Sequence, residues 1–259
     1  MKLPLIALVG VAIALQTGCV IGRRSFELPV QSHDIPAATQ GKVYIAAVTD
    51  DREFQNKPSD PSIPSIDGDV AKLSVQEKDR MIGRQRNGFG HAMGDMALPV
   101  DDAVTKRARL LVEQGLMRKG YAISSDAKAP YAVNVSVKEF WAWMTPGFLA
   151  LTFEAKLTCL ITVTDASGVH ATIVKGYGLN HGQVVKDVNW QEAYDPAFED
   201  FIANFGTQWG NLALGDKSAS GPVAQGDLYE QLKKLDELKK DGILTDQEFE
   251  DQKKKLLQQ

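Results

Sequence analysis

Leu151-Thr152-Phe153-Glu154-Ala155-Lys156-Leu157-Thr158-Cys159-Leu160-Ile161-Thr162-Val163-Thr164 is the stretch on which the fold turns. Leu151, Phe153, Ala155, Leu157, Cys159, Ile161 and Val163 point one way, and Thr152, Glu154, Lys156, Thr158, Thr162 and Thr164 the other. That period of two sends successive side chains to opposite faces of a strand, one core and one solvent. Upstream, Tyr131 to Phe140 alternates Val133, Val135 and Val137 against Asn134, Ser136 and Lys138, a second half-buried strand. Thr145-Pro146-Gly147-Phe148 places Pro and Gly where a type II turn wants them, and joins the two strands as a hairpin. Downstream, Asp165-Ala166-Ser167-Gly168 turns the chain into a further strand around Thr172 to Leu179, weakened by Gly176 and Gly178.

Working outward, Lys42 to Val48 is a short β-rich run between Gly41 and Asp50-Asp51, the first strand. A helix is expected from the N-cap Asp101 to Lys119, with Val104, Ala108, Leu111 and Val112 on one face and Gly120 as its stop. Asp195-Pro196 reads as an N-cap and first helical residue, and Phe198, Phe201, Ile202, Phe205, Trp209 and Leu212 follow at helical spacing. Packing on the open face of the sheet accounts for that bulky stripe without any cofactor. The order implies an α+β fold over residues 41–213: an antiparallel sheet with helices packed on one face. Asp51 to Pro99 carries Pro58, Pro61 and Pro64 without sustained periodicity, and loops of that length are functional or disordered.

The chain opens with Lys2 and a short apolar run, Leu3 to Leu15, below the roughly 20 residues of a bilayer-spanning helix. It therefore reads as an export signal, residues 1–18. Leu15-Gln16-Thr17-Gly18-Cys19 resembles the lipobox of bacterial lipoproteins, which implies acylation of the Cys19 thiol and a membrane anchor. With Val20 rather than Asp after the cysteine, the same resemblance implies sorting to the outer membrane, facing the periplasm. Residues 19–40, with Pro29 and Pro36, suit a tether. Net charge is -4 and pI about 5.6, without the basic stripe that nucleic acid requires. With Cys19 acylated, Cys159 has no disulfide partner and is expected to be a buried, inert thiol.

Residues 214–226 are rich in Gly, Ser, Ala, Lys and Pro, a flexible linker. Residues 227–259 then form a two-helix hairpin. Leu228, Leu232, Leu235 and Leu238 line the first helix and Gly242 ends it. Ile243 precedes Leu244, which forms a hydrophobic staple with Phe249 around a Thr245/Glu248 capping box, and Leu256 and Leu257 continue the apolar side. From Leu228 through Lys239-Lys240-Asp241-Gly242-Ile243-Leu244-Thr245-Asp246-Gln247-Glu248-Phe249 to Leu257 the order resembles the SHOCT module, a short C-terminal domain of many bacterial proteins. Helices this short need packing to persist. Their apolar seam is expected to associate with a second copy or an envelope protein in preference to docking back on its own domain. The main domain is similar to the YajG-type group of envelope lipoproteins over about Gly41 to Leu212, through its element order and the Gly120-Tyr121 junction.

Chemistry-bearing motifs are sparse. His33, His91, His170 and His181 lack metal-ligand spacing, Gly88, Gly90 and Gly94 fit no phosphate loop, and no nucleophile motif is present, so neither metal, cofactor nor catalytic residue is assigned. Trp141, Trp143, Met144 and Phe148 near the hairpin tip form a candidate contact surface, the alternative being that the loop 51–99 folds over them. Lys78, Arg80, Arg84 and Arg86 are expected to be a solvated basic surface. The chain therefore reads as a non-enzymatic binding or assembly component of an envelope complex. The second reading is an accessory lipoprotein of lipid or solute transport, with an apolar ligand held between sheet and loop.

Overall fold

The computed structural model describes residues 22–31, 35–215, 232–233, 235–236, 238–240 and 244–257, with side chains as far as 254. Its frame is the three-stranded meander expected from the alternating segments: β6 (Tyr131–Pro146), β7 (Leu151–Asp165) and β8 (Gly168–Gly182), antiparallel throughout. The other edge of β6 is shared by two strands in succession. β2 (Gly41–Asp50) runs parallel to its first half, and β3 (Met81–Arg86) parallel to Ala142 and Trp143. β5 (Tyr121–Ser124) pairs parallel with β2, β4 (Ala92–Ala97) antiparallel with β3, and β1 (Arg24–Ser25) parallel with β4. The sheet is thus mixed, a correction to the antiparallel expectation: the crossover through α2 (Val104–Arg118) returns the chain parallel to β2.

α2 and α3 (Asp187–Gly210) cover one face, and their stripes of Val104, Leu111, Leu116, Phe198, Phe201 and Phe205 meet Val133, Val135, Val137, Phe153, Leu157 and Ile161 in the main core. α3 starts at Asp187, ahead of the expected Asp195, with Pro196 inside it. An internal proline removes one helical hydrogen bond, and burial of Trp190 and Tyr194, whose hydroxyl donates to the Ile82 carbonyl at 2.5 Å, outweighs that loss. α2 has Ala103, not Asp101, at its N-cap position. Its cap comes from across the chain: Asp79 accepts from the Thr105 amide at 3.0 Å and from its hydroxyl at 2.6 Å.

Two strands and the short helix α1 (Val75–Lys78) lie inside the segment expected to lack structure. Arg84 and Arg86, expected on a solvated surface, are buried in β3 because the loop supplies acceptors: the Ile66 carbonyl for Arg84, with Asp95 at 3.5 Å, and the Pro58 carbonyl for Arg86 at 2.6 Å. Residues 22–31 of the expected tether are also part of the domain. Phe26 and Leu28 are buried in the core, and the Phe26 amide donates to Ala97 at 3.2 Å.

Candidate functional site

A β-bulge between Val137 and Glu139 reverses the phase of β6 halfway along. Below it Val133, Val135 and Val137 face the helices; above it Phe140, Ala142 and Met144 do, and Trp141 and Trp143 turn to the opposite, outer face. The loop 51–80 closes over them. Ile66, Met81, Ala97, Phe54, Val70 and Leu73 pack around both indoles, Phe54 meets Trp141 edge-on at 5.8 Å, and the Trp141 Nε1–H donates to the Pro61 carbonyl at 3.2 Å. Trp141, Trp143 and Met144 are therefore interior, contrary to the candidate contact surface, and of that set Phe148 alone is exposed. The apolar space expected for a ligand between sheet and loop is occupied by these side chains.

Arg52 holds the junction where β6 changes partner. Its fully buried guanidinium forks onto Asp50, Nε to Oδ1 at 2.7 Å and Nη2 to Oδ2 at 2.8 Å. It also donates to three carbonyls: Met81 at 2.6 Å, Phe140 at 2.8 Å and Lys78 at 2.7 Å. Burial works against the charge of Asp50, yet the Arg52 guanidinium holds its carboxyl below the usual range.

The lower outer face receives the C-terminal hairpin. Leu235, Leu238 and Leu244 are buried with Leu160, and Val169, Ala171, Ile173, Leu232 and Phe249 pack around them. The described residues from 232 to 240 are helical, and α4 (Asp246–Leu257) opens on the expected capping box: the Glu248 amide donates to Thr245 Oγ1 at 3.3 Å, and the Thr245 amide to the Glu248 carboxylate at 2.9 Å. Lys138 pairs with that same carboxylate. Burial opposes ionisation of Glu248, and the Lys138 ammonium with the Thr245 donors holds its pKa below the ordinary range. The seam that the sequence left for another molecule is thus seated on the chain's own sheet. Leu228 and Ile243 lie outside the described residues, as do the side chains of Leu256 and Leu257, the signal, Cys19 and His33.

Between loop and hairpin the outer face forms an open cleft of about 990 Å³, lined by Asp50, Asp51, Glu53, Lys78, Lys138, Glu139, Lys156, Thr158, Lys175, Thr245 and Glu248 among others. Lys156 pairs with Glu139 at 2.7 Å, and the Thr158 hydroxyl donates to the same carboxylate. Asp51 accepts from the Thr49 and Ser136 hydroxyls. Among the described residues no serine, cysteine or histidine lines the cleft, and its alternating charges suit a polar polypeptide surface. A Ser167–His170–Asp165 cluster lies at the β7–β8 turn, but Ser167 Oγ and Asp165 Oδ1 meet the same His170 Nε2, at 2.9 Å and 3.3 Å. A proton relay needs opposite ring nitrogens. Asp165 instead fastens the end of the domain by accepting from the Gly215 amide at 2.8 Å.

Residues 230–257 match the family model of the short C-terminal domain, SHOCT. The SHOCT resemblance of the hairpin is borne out. No curated protein matches the chain. Among solved structures, a Xanthomonas campestris protein assigned to the DUF330 family model has a TM-score of 0.40 at 8% identity, covering 73% of this chain and 94% of that one. An uncharacterised protein has a TM-score of 0.39 at 7% identity, covering 73% and 98%.

Leu160 is the site residue that the sequence reading passed over. It stands on the polar face of β7 where alternation calls for a hydrophilic residue, and it is the floor of the hairpin's seat. Ile173 opposite it on β8, with Ala171 and Val169 one and two same-face pairs further along, completes the signal.

Proposed function

We propose that this chain is a non-enzymatic, lipid-anchored envelope protein, held at the periplasmic face of the outer membrane by acyl chains on Cys19, and that it acts as an assembly component whose SHOCT hairpin is the association element. One observation carries the reading: Leu235, Leu238 and Leu244 cover an aliphatic patch of the sheet that has no other cover among the described residues. The hairpin connects to Gly215 only through residues 216–231, a stretch able to span roughly 50 Å when extended. The same seam and the same seat then serve a second copy by exchange, with every native contact retained and only the connection crossing over. The charged cleft beside the seat supplies the polar rim of such an interface.

A photocrosslinking residue at Leu235, in cells, tests the assignment. Crosslinks to a second copy or to one envelope protein are the expected result, and deletion of residues 216–259 is expected to lower the oligomeric mass and to lose that protein from the co-purified set. An unchanged mass and partner set after deletion removes the hairpin from the assembly role. Palmitate incorporation that disappears in Cys19→Ser tests the anchor by itself.

A further inference from the structure

Strand direction brings four features to one edge of the sheet. β3 and β6 run parallel while β4 and β7 run back, so the 87–91 turn and the 147–150 turn leave the same end. β8, antiparallel to β7, finishes there at Gly182. β1, parallel to β4, starts there, with the Gly22 amide donating to Met93 at 3.1 Å. Each of the two turns presents apolar side chains to solvent: Phe89 is 89% exposed, Phe148 100% and Leu149 79%. Val184, just past β8, is exposed at the same end.

The turns are built, not loose. The Asn87 carboxamide oxygen accepts from the Phe89 amide at 3.0 Å and the His91 amide at 2.9 Å, and the Gly147 amide donates to Ala150 at 2.9 Å. Neither 87–91 nor 147–150 contains an acid, a lysine or an arginine. With neighbouring strands about 4.8 Å apart, the two tips stand on the order of 10 Å from one another. Singly exposed apolar residues need no explanation, but two adjacent turns tipped with uncharged aromatic and aliphatic side chains form a contact edge.

What that edge contacts follows from where the chain ends. Gly22 is bonded into the sheet and lies three residues after Cys19, a reach of about 10 Å even when fully extended. Because Phe26 and Leu28 are core residues, no slack follows that reach. An acyl group on Cys19 therefore brings this edge, and no other, to the bilayer.

We propose that this edge binds a lipid surface: Phe89, Phe148 and Leu149 enter the boundary between headgroups and acyl chains, and stand the domain upright with its SHOCT seat at the far end. The orientation rests on the anchor proposed for Cys19, whereas insertion of the apolar tips does not.

With Cys159 buried and unreactive, a Cys19→Ser background permits labelling of introduced cysteines with an environment-sensitive fluorophore in an otherwise full chain. Phe89→Cys and Phe148→Cys report the edge, and Ala127→Cys the opposite end. On vesicles of phosphatidylethanolamine and phosphatidylglycerol carrying nitroxide lipid, labels at 89 and 148 are expected to be quenched severalfold more than the label at 127. Phe89→Ser with Phe148→Ser, both at exposed positions, is expected to lower vesicle binding of the Cys19→Ser chain by roughly tenfold or more. Equal quenching at all three positions overturns the proposal. So does a fluorescence change at 148 in whole envelopes with no quenching in pure lipid, which assigns the edge to a protein. Palmitate labelling of the wild-type chain in cells decides the anchor independently, so failure of one reading is separable from failure of the other.

Discussion

At the scale of single residues, Arg52 bears most on stability. Five donor contacts, two to Asp50 and three to carbonyls of different segments, converge on a guanidinium with no solvent exposure of its side chain. Arg52→Met leaves a buried carboxylate and three carbonyls without their donor, and is expected to cost about 3–5 kcal/mol in urea unfolding. Arg52→Lys is expected to recover little of that, since an ammonium cannot make the planar fork. Cys159 behaves oppositely. Burial pushes its thiol up to about 12, so iodoacetamide is expected to label it only as the domain unfolds. Its inertness was legible in the alternating pattern of β7; the role of Arg52 was not, because a charged residue after a strand reads as surface until its five acceptors are placed around it.

At the scale of elements, Gly176 and Gly178 weaken β8 by propensity but admit α3. A Cβ at Gly178 would stand 2.3 Å from the Ala193 carbonyl oxygen, and one at Gly176 2.3 Å from that of Ala197. Gly178→Ala is accordingly expected to destabilise by about 1–3 kcal/mol, read as a lowered melting temperature, since helix backbone cannot yield as a side chain does. The hairpin is the element most sensitive to small changes. Leu238→Ala forfeits about 2–5 kcal/mol of buried aliphatic contact, so amide protection in 232–257 is expected to vanish while that of β6 to β8 persists. pH acts on the same seat through Glu248. Because its folded-state pKa is lowered, its contribution is complete above the ordinary glutamate range and is lost as pH falls through the folded value. The protection factors of the hairpin amides, exchange being referred to the slower intrinsic rate at each pH, should therefore fall on acidification, and Glu248→Gln should remove that step.

At the scale of the molecule, the sheet is one wall with two uses. Its inner face is closed by α2 and α3, and its outer face by the 51–80 loop above, the hairpin below and a charged cleft between. A chain lacking residues 216–259 is expected to expose Leu160, Val169 and Ile173 and to bind a hydrophobic dye such as ANS severalfold more strongly than the full chain, with β-sheet circular dichroism unchanged. Local sequence by itself determined the β6–β7–β8 meander, the apolar stripes of α2 and α3 and the capped SHOCT helices. Each of these is written in residues two, three or four apart, and the physics that reads them is local burial, turn chemistry and capping. Only tertiary structure decided that β3 and β4 exist, that Trp141 and Trp143 are interior, that residues 22–31 belong to the domain and that the hairpin sits on its own sheet. The acceptors for Arg84 and Arg86, the bulge that turns two indoles outward, the β4 partner of β1 and the seat at Leu160 all come from segments distant along the chain. No local pattern records which distant residues will satisfy a buried charge or cover an apolar face.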